Sequence, residues 1–131
     1  MKKLFLVFVI LAPLFVKAQA HLGATVSQVK SNHPDKTFES SYLKDGVRCL
    51  YTEMDLGTFY YYFDKMTGLS NICIQVPKNM AALNAQVEIY NKKYVILSET
   101  KWKAYLDEGG IINIRLEYSE DLKSYIFIYT S

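Results

Sequence analysis

Short runs rich in Tyr, Ile, Val and Phe, cut at regular intervals by glycine, narrow the folds open to this chain. Gly46 follows Asp45, Gly57 follows Asp55-Leu56, Gly68 closes Asp64-Lys65-Met66-Thr67, and Gly109-Gly110 follows Asp107-Glu108. Tyr, Ile, Val and Phe suit a pleated, half-buried surface. Glycine accepts the positive φ that tight turns require. The pattern predicts short antiparallel strands joined by tight turns.

Two segments depart from it as helices. Thr25-Val26-Ser27-Gln28 has the spacing of a capping box, with Val26 and Val29 facing inward and Pro34 limiting the helix to about two turns. A second helix runs from about Asn79 to Asn91, where Met80, Leu83, Val87 and Tyr90 form one apolar stripe. Strands are expected near 37–43, 47–54, 58–63 and 69–76, and again near 94–98, 102–106, 111–118 and 124–130. The fold class is α+β: an antiparallel sheet with two helices, ordered as a helix plus a four-stranded meander, twice. A short echo, Asn71-Ile72-Cys73-Ile74 against Asn113-Ile114-Arg115-Leu116, accompanies that order.

Register can be reasoned for the third and fourth strands. A four-residue loop, Lys65 to Gly68, pairs Asp64 with Leu69, Tyr61 with Ile72 and Phe59 with Ile74. Phe59, Tyr61, Phe63, Ile72 and Ile74 then share one face, and Tyr60, Tyr62, Asn71, Cys73 and Gln75 the other. A one-residue slip would mix the two sets. Ile112, Ile114 and Leu116 lie opposite Asn113, Arg115 and Glu117. The last strand is apolar on both sides, with Ile126 and Ile128 against Tyr125, Phe127 and Tyr129, so one side must meet something other than the main core.

The N-terminus reads as a cleavable secretory signal. Lys2 and Lys3 are followed by an apolar run from Leu4 to Val16 and by small-residue cleavage sites after Ala18 or Ala20. Crossing a bilayer takes roughly 20 apolar residues, and this run is shorter and contains Pro13. Residues 1–20 are therefore a signal peptide and residues 21–131 a single domain, periplasmic or secreted. No cysteine follows the run for lipid attachment, so no membrane anchor is expected after cleavage. The chain has 15 basic and 13 acidic residues, but Lys2, Lys3 and Lys17 leave with the signal, so 12 basic residues face 13 acidic ones. Arg48 and Arg115 are the only arginines and the lysines are scattered, which gives no nucleic-acid footprint.

Leu22-Gly23-Ala24-Thr25-x-x-x-Val29, a capped short helix leading into a meander, is similar to the start of the outer-membrane assembly lipoproteins of the SmpA/OmlA kind. The repeated helix-plus-four-strand order resembles the tandem repeats of the beta-lactamase inhibitor protein family. Both are small exported α+β proteins that bind other proteins, and the resemblance implies that mode of action here.

Reactive residues are few. Cys49 and Cys73 are the only cysteines, and export would permit a disulfide worth roughly 3 kcal/mol. In a plain meander they lie two strands apart, about 9.6 Å, beyond the roughly 7 Å that a disulfide spans. Either the sheet is not a meander or the thiols are free. His21 and His33 match no metal framework with the cysteines and read as solvated. The acidic residues fall mainly in turns, where Asp caps backbone N–H groups. No cofactor or metal is expected, and the chain reads as a non-enzyme.

Eleven tyrosines, with Tyr60-Tyr61-Tyr62 consecutive, supply the least ordinary feature. Tyr60 and Tyr62, projecting from the core, are candidates for contact with another protein. Arg115 with Tyr125, Phe127 and Tyr129 forms a second candidate surface. The alternatives are a small-ligand or carbohydrate binder using the same tyrosines, and an enzyme with an unrecognised site. A protein binder requires a broad, shallow aromatic surface, a ligand binder a closed concavity, and an enzyme ionisable groups converging in a cleft.

Overall fold

The computed structural model describes residues 20–107 and 109–131. Except for Ala20, the proposed signal lies outside the described residues. The order is α1 (Val26–Asn32), β1 (Glu39–Tyr42), β2 (Arg48–Met54), β3 (Gly57–Phe63), β4 (Ser70–Pro77), α2 (Met80–Lys93), β5 (Val95–Ser98), β6 (Lys101–Tyr105), β7 (Ile111–Ser119) and β8 (Ser124–Thr130). All eight strands form one antiparallel sheet in the order β1-β2-β3-β4-β8-β7-β6-β5. The fold is α+β. Two meanders meet through their last strands, β4 and β8, which leaves β1 and β5 as the sheet edges.

Local chemistry explains the punctuation. The capping box is formed: Thr25 Oγ1 accepts from Gln28 N–H at 3.2 Å and Gln28 Oε1 from Thr25 N–H at 2.8 Å. Asn79 caps α2 by accepting from Ala82 N–H at 2.8 Å. Asp64 accepts from the N–H groups of Met66 and Thr67, and Gly68 takes φ +72 in the expected four-residue loop. Gly57 has φ +134, and a Cβ there would lie 2.0 Å from the Val76 carbonyl oxygen, so only glycine fits.

Beyond that loop the register differs from expectation. Phe63 pairs with Ser70 but Tyr62 pairs with Ile72, so Asn71 is an extra, bulged residue. Tyr61 therefore faces Cys73 and Phe59 faces Gln75. Ser70, Cys73 and Gln75 turn toward the core, while Ile72 and Ile74 join Tyr60 and Tyr62 on the opposite face. Just before the bulge, Ser70 anchors the N-terminal segment. Its hydroxyl donates to the His21 carbonyl and accepts from Ala24 N–H, and its backbone bonds both Gly23 and Ala24. Ser70 points inward in either register; what the bulge changes is that Cys73 and Gln75 follow it inward, where Gln75 meets Gln86 and Tyr129.

Both helices cover one face of the sheet, called here the inner face. Its core contains Val29, Leu50, Phe59, Tyr61, Cys73, Leu83, Tyr90, Trp102, Ile114 and Phe127. The buried stripe of α2 is Leu83, Gln86 and Tyr90, with Val87 partly buried, whereas Met80 is exposed. Gln86 lies inward because Gln75 faces it. Their amides bond reciprocally at 2.7 and 2.9 Å. Tyr129 donates to Gln75 at 2.7 Å, and the hydroxyls of Tyr90 and Tyr129 are 2.8 Å apart. Among the described residues no buried side-chain nitrogen or oxygen lacks a partner, so burying this network carries no desolvation penalty for an orphaned group.

Candidate functional site

Among the described residues, neither α1 nor α2 covers the outer face, and the strand registers assemble it. Glu39 pairs with Tyr51, Tyr51 with Tyr60, Tyr60 with Ile74, Ile74 with Ile128, Ile128 with Arg115, and Arg115 with Lys101. One cross-strand row thus crosses seven strands, about 29 Å at the usual strand spacing. It is acidic at the β1 end, aromatic and aliphatic in the middle, and cationic at the β6 end. Beside it runs a second row, Ser41, Cys49, Tyr62, Ile72, Thr130, Asn113 and Lys103.

The tyrosines are held rather than loose. The Tyr51 and Tyr60 rings stack with centroids 5.4 Å apart and planes inclined at 23°. Tyr51 donates to Glu39 Oε2 at 2.6 Å, and that bond to a carboxylate, with the carboxylate's charge, raises the phenol's pKa. Burial, followed by the Cys49 thiol, pushes Tyr62 up to about 12. Cys49 is itself raised by burial, against a hydrogen bond from Tyr62. Both phenols therefore remain neutral at physiological pH. At the other end Arg115 Nε lies 3.3 Å from Glu117 Oε2, both side chains about half exposed, an arrangement worth little to stability.

Shallow grooves flank the row. One of about 470 Å³ lies between β1–β3 and residues 35–37, lined by Tyr51, Tyr60, Glu39, Glu53 and Lys36 among others. Another of about 190 Å³ lies over β6–β8 beside Leu97, Arg115 and Ile128. Both open to solvent.

The outer face joins Tyr60, Tyr62 and Arg115, which strand alternation in the sequence divides between two surfaces. It excludes the other candidates. Phe127 and Tyr129 point inward and are buried in the core, because Phe127 pairs with Gln75 and Tyr129 with Cys73. Arg115 pairs with Ile128 and so shares its face with Ile126 and Ile128. Tyr125 is 45% exposed but lies on the inner side at the far end of β8, edge-to-face with Tyr118. Tyr51, Ile74 and Ile128 were missed. Tyr51 alternates with Leu50 and Thr52 and could have been placed, but Ile74 was hidden by the Asn71 bulge.

The cysteines cannot bridge. Both are free and buried. Cys49 pairs with Tyr62, which pairs with Ile72, so Cys49 lies on the outer face and Cys73, one residue further on, lies on the inner face. The sheet separates the two thiols. The histidines, expected to be solvated, instead meet: their Nε2 atoms are 2.7 Å apart. His21 is only 8% exposed, and its ring lies against Tyr61 as well as His33. Burial, then the His33 charge, lowers the His21 pKa to about 4. Burial also lowers His33, against Asp35. Both rings are neutral at pH 7, and one nitrogen donates to the other. Among the described residues no group of three or more His, Cys, Asp or Glu could hold a metal ion, and no helix is long and apolar enough to cross a membrane.

No family model, curated protein or solved structure matches the chain.

Proposed function

We propose that this chain is an exported, non-enzymatic protein whose outer sheet face docks another protein. The row from Glu39 to Lys101 carries the reading. It is long, shallow and aromatic at one side of its centre, and it runs from acid to base, which would orient a partner along it. Rigid, stacked tyrosines offer large contact area at small entropic cost. The proteins that the sequence resembles also act by binding other proteins. The scattered basic residues give no nucleic-acid footprint. Export rests on the N-terminal signal. Ala20 packs in the core cluster, which favours cleavage after Ala18 over cleavage after Ala20.

The test is affinity capture from the envelope and medium of the source cell, with the chain and with its Tyr60→Ser/Tyr62→Ser variant compared directly. The variant is expected to lose the captured protein by at least about tenfold while its melting temperature moves by only a few degrees. Equal capture by both chains overturns the assignment of this face. The groove beside Tyr51, Tyr60, Glu39 and Glu53 supports a second reading, a carbohydrate or other small polar ligand. Saturable binding of an oligosaccharide that Tyr51→Ala abolishes would favour that one.

A further inference from the structure

The two edges of the sheet are built differently. β1 carries Glu39, Ser40 and Ser41 before an exposed Tyr42, so three of its four residues are charged or polar, which discourages pairing with another chain. β5 carries Val95, Ile96 and Leu97, which are 48%, 53% and 53% exposed. Among the described residues it has β6 on one side and no strand on the other. A row of backbone groups flanked by three half-exposed aliphatic side chains is a template for strand addition.

We infer that the occupant of this edge is β5 of a second copy of the chain, paired antiparallel about a two-fold axis at Ile96. The flanking charges select that arrangement. With Ile96 opposite its own copy, Val95 pairs with Leu97 of the other chain, and the antiparallel direction brings Lys93, just before the strand, to the end where the other chain carries Glu99, just after it. Both residues are exposed, Lys93 at the end of α2 and Glu99 in the β5–β6 turn. The two-fold symmetry makes that contact twice. A parallel pairing would set each charge against itself. The strand is therefore self-complementary in one direction. The Leu97 bulge lies in the ladder toward β6, between Ile96 and Ser98. The dimer would continue the sheet to sixteen strands and keep both outer faces on one side. Only three residues of β5 pair per chain, so the contact is small and the association weak, in the micromolar range (~1–100 µM).

Sedimentation velocity on the purified chain from about 1 to about 200 µM tests this. A reversible monomer–dimer equilibrium is expected. Lys93→Glu and Glu99→Lys should each weaken it by about tenfold or more, since each turns two attractions into two repulsions. An equimolar mixture of the two single variants should regain the dimer, because every contact in the mixed pair is again Glu against Lys. The double variant should regain it as well. Circular dichroism should show all the variants folded, as both positions are exposed. A chain that stays monomeric throughout, or a dimer indifferent to the single reversals, overturns the inference, and so do single variants that remain monomeric when mixed. None of these results bears on Tyr60 and Tyr62.

Discussion

His21 joins the N-terminal segment to the sheet through both its backbone and its ring. Its carbonyl accepts from Ser70, its Nε2 meets that of His33, and its backbone takes φ +46, unusual for a residue with a side chain. The ring is stable here only while neutral. Folded, it takes a proton near pH 4, whereas an unfolded histidine does so near 6.5. Between those values the unfolded chain binds more protons, so this contribution is fully present above pH 6.5 and is lost as pH falls toward 4. His33, also lowered, adds in the same sense. Asp64, whose carboxyl is lowered by the Thr67 and Met66 N–H groups, acts at lower pH. The melting temperature should fall by several degrees between pH 6.5 and 4. His21→Phe should show a visibly shallower decline over that window, and an unchanged slope would remove His21 from the account.

At the scale of elements, most of the fold was legible and its faces were not. The strand boundaries follow from glycines and aspartates whose turn geometry is local, as at Asp64 and Gly68, and the helix starts follow from Thr25 and Asn79. Face assignment in β4 was illegible because the bulge at Asn71 turns Cys73 and Gln75 inward, and the partners Gln75 meets there, Gln86 and Tyr129, lie 11 and 54 residues away in sequence. In β8 both faces are apolar, so alternation alone cannot choose. Gln75 and Gln86 look like surface residues by composition, and only their mutual pairing explains their burial. That pairing makes a prediction. Gln86→Ala leaves the Gln75 amide without its helix partner and should cost about 2–3 kcal/mol in urea denaturation. Gln75→Leu/Gln86→Leu, which removes both amides, should cost clearly less than the sum of its two single changes. Additive losses would show that the two glutamines act separately.

For the molecule as a whole, the join between β4 and β8 decides whether the two helix-plus-meander halves behave as separate units. The sheet is continuous across it, with Ile72 to Gln75 paired against Phe127 to Thr130. Beneath that seam, Gln75 of the first half bonds Gln86 and Tyr129 of the second. The Trp102 and Phe127 rings continue the same core, 6.4 Å apart, and Phe127 pairs with Gln75. Each half alone would expose a long strand edge and strand the network's polar atoms. The halves should therefore unfold together, as small single domains do. Calorimetry should give a calorimetric enthalpy equal to the van't Hoff enthalpy, with fluorescence from Trp102 in the second half and tyrosine near-UV dichroism reporting the same midpoint. Two resolved transitions, or probe-dependent midpoints, would show that the seam is weaker than either meander. The outer row would then be a surface shared by two hinged units rather than one rigid platform, because it crosses this seam between Ile74 and Ile128.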